Sequence, residues 1–487
     1  MEENKRGSWG SNFGFLMAAI GSAIGLGNIW GFPYKCGKNG GFAFVIVYLL
    51  LVTFVGVVVM LGELTIGRRT GQGVVGAYSS LAKKYKWVGY MGVASGFIIL
   101  GFYNVLGGIV FRYCFGFIMQ MFGADGFGGQ GLEFWGFIRA NPSQMLLGYV
   151  VFTIINMVIV MGGIQGGIEK FTTVAMPALF VILIGLIIYV ACQPGAMDGY
   201  KFMWAPNVEP LKTDFLGVVK TAAGQMFFSL SLGMGAMITY GSYLSKKENL
   251  QKNALLIPIA DTAAALLAAM VVLPACAAFG VEYGAGPGLL FVSMQTVFYN
   301  MGGFIGNLVG FLFYFLVFIA AITSSISLLE VCTTFVIDKR LAQNKKPARK
   351  VVTLAFTVVI FLLGLPVVFD GIGYGLANGA SFPTPFEVLG LGEAAYAGWN
   401  DCWLDLYDMI SEGVLMPLGA MVMSILIGWK FMPNWKNRER DMMLVSECEA
   451  SGHKFWGYIF FEMCFKFVVP IGMVIVLWGQ LQGFFFS

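Results

Sequence analysis

Long apolar runs alternate with short polar, charged or glycine-rich connections over the whole chain, and this pattern predicts eleven membrane-spanning helices. We number them helix 1 to helix 11, at about 12–37, 41–67, 88–122, 145–162, 166–192, 216–240, 253–280, 304–336, 350–368, 402–430 and 455–483. Helix 1 departs from the uniform pattern. Its middle reads Gly21-Ser22-Ala23-Ile24-Gly25-Leu26-Gly27-Asn28, and each glycine there disfavours a continuous helix by roughly 1 kcal/mol relative to alanine. In lipid an unpaired backbone amide or carbonyl costs several kcal/mol, so a break is tolerable only where the freed groups face protein, water or a ligand. Asn28, polar and near mid-membrane, points the same way. Close helix packing through Gly21-x-x-x-Gly25 is the competing reading. Helix 6 repeats the theme in Ser229-Leu230-Ser231-Leu232-Gly233-Met234-Gly235, at a similar depth. Two glycine-interrupted spans five helices apart are the pattern of an inverted-repeat transporter with its site at mid-membrane.

Composition narrows the class. With 58% hydrophobic and 11% charged residues and a mean hydropathy of +0.77, the chain is too apolar for a soluble globular protein. It reads as an all-α polytopic membrane protein forming one domain over 1–487, with repeat halves at about 12–192 and 216–430 and an extra helix at about 455–483. A cleaved signal peptide is not expected, because the first apolar segment is too long and no small-residue cleavage site follows it. Placing the amino terminus in the cytoplasm puts 22 of the 30 basic residues there, from Lys5 and Arg6 through Lys170, Arg349 and Lys350 to Lys436, Arg438, Arg440 and Lys454. The opposite loops carry acids such as Asp198, Glu209, Glu282, Asp370 and Glu393. The expectation is an inner (plasma) membrane protein with its carboxyl terminus outside. The outer connections near 193–215, 281–303 and 369–401 are rich in glycine, proline and aromatics and are candidates for re-entrant or lid-like structure. Eight scattered cysteines without C-x-x-C, and a single histidine, His453, in a charged loop, give no support to zinc, a disulfide framework or an intramembrane histidine relay. The expected partners are a small substrate and the lipid bilayer, not nucleic acid; monomer and homodimer both remain open.

The motifs then become specific. Ser8-Trp9-Gly10, Gly25-Leu26-Gly27-Asn28-Ile29-Trp30, Gly40-Gly41, the helix 6 segment above, Ala285-Gly286-Pro287-Gly288 and Thr323-Ser324-Ser325-Ile326-Ser327-Leu328-Leu329-Glu330 lie in order along the chain. Together they closely resemble the neurotransmitter:sodium symporter family, whose leucine-transporter fold is itself a known instance of broken helices at a midplane site. The resemblance covers essentially the whole chain, and it implies a sodium-coupled amino-acid carrier rather than an enzyme.

What the resemblance implies can be placed residue by residue. A sodium ion takes about five or six oxygens, mostly carbonyls and hydroxyls, as other hard cations do. One site would use the carbonyls of Gly21, Ile24 and Ala320 with the hydroxyls of Thr323 and Ser324; back-bonding to the preceding helical turn is the other use of such a Thr-Ser-Ser run. The other site would use the Ala23 carbonyl, Asn28, Ser229 and Asp261. A carboxylate inside an apolar span costs at least about 3 kcal/mol unless paired, although an aspartate near the end of helix 7 could also be solvated beside Lys252. Chloride-requiring relatives lack an acid near this site, so Asp261 implies that chloride is not needed. The substrate carboxylate would meet the amides of Leu26 and Gly27 at a half-helix start, where the dipole favours an anion, and the hydroxyl of Tyr103. Amine carriers of this kind place an aspartate at the position of Gly25. The substrate ammonium would find carbonyls of Ser22, Phe228 and Ser231. Ile99, Tyr103, Phe228, Ser231, Met234, Ser324 and Leu328 would line the side-chain pocket, which suits neutral hydrophobic or aromatic amino acids and, through deformable Met234, a broad range.

The same resemblance implies gating roles. Arg6 and Trp9 would close the inner side, with Asp338 as the partner of Arg6. Glu63 would cap amides freed by the break in helix 6, or else sit as a helix-end acid near Arg68. Gly167 and Pro177 in helix 5 have the spacing that allows local unwinding in related carriers, and a plain kink is the alternative. One departure stands out: where the family carries an arginine after Asn-Ile-Trp, this chain has Gly31, while the helix 10 aspartate persists as Asp408. Lys35, a substrate group, or closure on Tyr103 and Phe228 alone are the candidate replacements. The rival functions are a carrier of another small zwitterion or amine, a channel or receptor, and an intramembrane enzyme using Asp405 and Asp408, which lacks a nucleophile–base set.

Overall fold

The computed structural model describes residues 6–81, 83–128, 131–282, 287–373, 382–390, 401–432 and 443–485. Lys5, Ala285, Gly286, Glu393, Lys436, Arg438 and Arg440 of the sequence reading lie outside the described residues.

Ser11 begins helix 1, its hydroxyl accepting a hydrogen bond from the Gly14 amide at 2.9 Å, the arrangement that satisfies one of the orphan donors at a helix start. The helix runs Asn12–Ala23, stops at Ile24 in an extended conformation, and resumes as Gly27–Lys38 at an angle of 54°. Helix 6 is likewise two pieces, Phe215–Ser229 and Ala236–Gly241, capped by Asp214 at its start. Its interruption needs positive φ at Gly233 (83°) and Gly235 (78°), which only glycine adopts without strain. Among the described residues nine further helices are long and apolar enough to cross a membrane: Phe42–Thr70, Lys83–Met121, Pro142–Met161, Ile164–Ala191, Leu250–Phe279, Gly303–Ala342, Arg349–Phe369, Trp403–Phe431 and Tyr458–Gln482. With the two broken spans these are the eleven read from the sequence, and among the described residues no strand occurs. Helices 3 and 8 outrun their expected bounds because they continue past the apolar core into the loops at their basic ends.

Helix 3 forms the spine, packing along helices 4, 8 and 9. At its crossing with helix 4 a side chain on Gly108 would lie 2.4 Å from the Tyr149 amide, so the two backbones meet through small residues, as helices in lipid do. Helix 1 packs between helices 5, 7 and 8. The belt facing away from this interior is apolar and exposed: Val174, Val181 and Ile188, seven residues apart, line one stripe of helix 5, which suits contact with acyl chains. Outside the crossings, Val74–Leu81 joins helices 2 and 3, and the glycine-rich connection after helix 7 contains a short apolar helix, Leu289–Met301, with Leu290, Phe291 and Met294 buried.

Candidate functional site

The two breaks face each other at the centre of the bundle, and three polar side chains from helices 1, 6 and 7 meet there. Asn28 donates through Nδ2 to Ser229 Oγ at 2.8 Å and to Asp261 Oδ1 at 2.8 Å. Ser229 donates to Asp261 Oδ2 at 2.9 Å. All three are buried, Asp261 at 0% exposure, so the aspartate is not solvated beside Lys252. Tyr48 of helix 2 stands beside Asp261, its buried hydroxyl outside hydrogen-bond geometry; a tyrosine inside an apolar run, needing a partner for its OH, is the signal for it in the sequence. The Gly25 amide donates to Asn28 Oδ1 at 2.9 Å, linking this cluster to the break itself. An amide's O and N exchange places on a half-turn of the side chain. With the oxygen turned inward, Asn28, Ser229 and Asp261 form an oxygen donor set carrying one negative charge, suited to a small hard cation.

A second oxygen cluster lies between the break and helix 8. Ser324 Oγ reaches Ile24 O at 3.1 Å and Gly21 O at 3.4 Å. Thr323 Oγ1 donates to Ile319 O and Ala320 O, each at 3.1 Å. The threonine therefore does back-bond, and yet its Cβ lies 3.0 Å from where a side chain on Gly21 would begin. The five oxygens named for this place in the sequence are thus neighbours, contributed by two helices.

Between the clusters is a cavity of about 20 Å³, room for one water, lined by Ala23, Gly25, Leu26, Gly27, Asn28 and, from the other helices, Ile99, Tyr103, Phe228, Ser229, Ser231, Met234, Ser324 and Leu328. Ser22 is the one expected substrate residue that does not line it: its carbonyl accepts from Ser231 Oγ at 2.9 Å and its hydroxyl donates to Ser327 at 2.7 Å. Tyr103 Oη accepts the Leu26 amide at 3.1 Å. The Phe228 ring lies over Gly27 and, with Met234, keeps this space too small for anything larger than water.

Above Tyr103 and Phe228 a vestibule of about 230 Å³ is lined by Trp30, Lys35, Gln225, Asp405, Asp408 and Glu412, among others. Lys35 faces both Asp408 and Glu412, which stand one turn apart on helix 10. Gln225 donates to Gly27 O at 2.8 Å, and a side chain on Gly31 would begin 3.0 Å from its Oε1. Gln225 therefore fills the room that a side chain at position 31 would use. Neither Gln225 nor Glu412 is conspicuous in the sequence, since each is one polar residue on a long helix whose orientation the apolar pattern leaves open.

At the basic end Arg6 Nε meets Asp338 Oδ1 at 2.7 Å, and the same guanidinium reaches Gly71 O and, at 3.2 Å, Ser242 Oγ. Trp9 donates to Tyr240 O at 3.0 Å, with its ring edge against Tyr243. Glu63 accepts the Gly233 amide at 2.7 Å and faces the amides of Met237 and Ile238 at the start of the second half-helix. Helix 5 is wound through Gly167 and carries Pro177 inside it. Glu169, which no sequence motif marks, ties helix 5 to the amino-terminal segment by accepting the Gly10 amide at 2.7 Å and the Ser11 hydroxyl at 3.1 Å.

The profile of the sodium:neurotransmitter symporter family matches residues 6–125 and 128–391. A sodium-dependent transporter of Bacillus subtilis, YhdH, is 32% identical over 482 residues, 98% of each chain. One from Haemophilus influenzae is 31% identical over 491 residues, again 98% of each chain. The crystal structure of MhsT in complex with L-phenylalanine superposes with a TM-score of 0.79 at 36% identity, covering 98% of this chain and 100% of that one. The chain therefore belongs to the sodium:neurotransmitter symporter family, whose members are sodium-coupled membrane transporters and not enzymes.

Proposed function

We propose that the protein imports neutral hydrophobic or aromatic amino acids together with two sodium ions, by alternating access and without a chloride requirement. The observation that carries the reading is at Gly25. No acid stands there to hold an amine; instead the Leu26 amide donates to Tyr103 Oη beside it, and a carboxylate placed between the two would accept from both. The walls of Ile99, Phe228, Met234 and Leu328 favour an apolar side chain, and the MhsT complex with L-phenylalanine supports the same class.

In this reading helices 1–5 and 6–10 are the inverted repeats of one domain over 1–487, helix 11 is additional, and the basic end faces the cytoplasm in the inner membrane. Two sodium ions falling through 100 mV and a tenfold gradient release about 7 kcal/mol, from about 2.3 per charge and 1.4 per decade. That sustains an accumulation near 10⁵-fold. Sodium on Asn28, Ser229 and Asp261 shares the Gly25–Gly27 turn with the substrate carboxylate, so each ligand improves the site for the other. Once both are bound, Tyr103 and Phe228 close above them, the Arg6–Asp338 pair opens below, and helix 5 loosens at Gly167.

The test is uptake into proteoliposomes of a labelled amino-acid panel. Uptake should follow the sodium gradient, be competed by hydrophobic and aromatic amino acids, and vanish for analogues lacking a free carboxylate; amine uptake without a carboxylate would overturn the assignment. Replacing chloride with gluconate should leave the rate unchanged, and a strict chloride requirement would remove Asp261 from its charge-balancing role. Asp408→Asn should slow substrate occlusion several-fold, because Lys35 then faces only Glu412 on that helix; unchanged transport and occlusion would show that the outer closure rests on Tyr103 and Phe228.

A further inference from the structure

A further cavity, of about 360 Å³, opens at the basic end, away from the mid-membrane site. Its walls come from the connecting helix Val74–Leu81, the start of helix 3 and the last turns of helix 8. Two lysines flank it. Lys86 holds its ammonium 5.4 Å from the Tyr90 ring, and Lys339 stands on the final turn of helix 8. Neither is in an ion pair among the described residues. The one carboxylate in the wall, Asp338, is already committed to Arg6 and to the Gly73 amide at 2.6 Å. Gln72, Ser79 and Ser80 add polar groups. The cavity thus carries two uncompensated positive charges with hydroxyl and amide groups in the same wall, next to the exposed aromatic rings of Trp87 and Tyr90, residues that favour the headgroup level of a bilayer.

We propose that this cavity is a binding site for a phosphate-bearing anion. Compact ammonium groups suit a phosphate as point charges, and basic cavities on this side of membrane proteins take anionic headgroups. A lipid phosphodiester and a free cytoplasmic phosphate share the required chemistry. The site adjoins Asp338, which joins the amino-terminal segment, the Gly73 turn and helix 8. An anion drawing Lys86 and Lys339 together holds those elements in register and keeps the Arg6–Asp338 contact closed. This last consequence rests on the gating role proposed above; the binding itself does not.

The experiment titrates the purified full-length protein with dioctanoyl-phosphatidylglycerol, dioctanoyl-phosphatidylcholine and inorganic phosphate by calorimetry. We expect one saturable site per chain for at least one of the two anions and none for the zwitterionic lipid. The Lys86→Gln/Lys339→Gln variant should bind at least ten-fold more weakly, while Lys345→Gln/Lys346→Gln, removing the same charge from the neighbouring loop, should bind as before. Saturation by the lipid or by phosphate identifies the source. Absence of a saturable site for both, or equal weakening in both variants, overturns the proposal. A separate arm follows alkylation at position 242 in Ser242→Cys: slowing by the anion supports the link to the gate, and an unchanged rate with binding intact overturns that link alone.

Discussion

Asp261→Ala should abolish sodium-dependent substrate binding. The aspartate supplies the single negative charge of a buried cluster, and it anchors Asn28 and Ser229 at once. Removing one member of a buried charged pair costs about 3–5 kcal/mol, equivalent to a weakening of sodium by some hundreds- to thousands-fold. Asp261→Asn separates charge from shape, since it keeps an oxygen in place while deleting the charge, and should fall between alanine and the parent. Equilibrium binding of a labelled amino acid, titrated with sodium, reads both variants. A sodium midpoint unchanged in Asp261→Ala would move the ion away from helix 7.

Gly25→Asp should eliminate uptake of amino acids at least a hundred-fold, for two reasons that a second variant separates. The first is space: a Cβ on residue 25 would lie 2.7 Å from both Ser324 Oγ and Tyr103 Oη, closer than atoms approach without displacement. The second is charge, because a carboxylate there would repel the substrate's own, and apposed like charges cost several kcal/mol. Gly25→Ala tests the first alone. It should weaken amino-acid binding less than aspartate does, with the difference assignable to charge. Binding measured at saturating sodium distinguishes the two. If Gly25→Asp retained the parent's affinity for amino acids, the substrate carboxylate would have to sit elsewhere and the Leu26–Tyr103 donor pair would lose its role.

Legibility of the site fell unevenly. The glycines that break helices 1 and 6 announce themselves, because a membrane helix tolerates them only where backbone groups find other partners. Thr323 and Ser324 were ambiguous by nature: a hydroxyl one turn after a carbonyl bonds it whether or not an ion is nearby, and Thr323 does so here. Tyr48, Gln225, Glu412 and Glu169 carry no motif, each being a lone polar residue in a long apolar or mixed run. Gln225 is the instructive case. Its significance lies in the emptiness of position 31, 194 positions away along the chain by their numbers, and no local pattern connects the two.

By itself the sequence determined that this chain lives in lipid, that it crosses many times, and that two crossings are interrupted at matching depth. Those properties follow from segment length, apolar content and the backbone freedom of glycine, which are local quantities. The family resemblance already groups Asp261 with Asn28 and Ser229 and pairs Arg6 with Asp338; tertiary structure alone decided that Gln225 fills the room at position 31, that Glu169 holds the amino-terminal segment, and that Lys35 confronts Glu412 as well as Asp408. The apolar period says which residues share a face of one helix. Which face meets which neighbour, and at what height, depends on close packing among helices far apart in the chain, through contacts as tight as Gly108 against Tyr149.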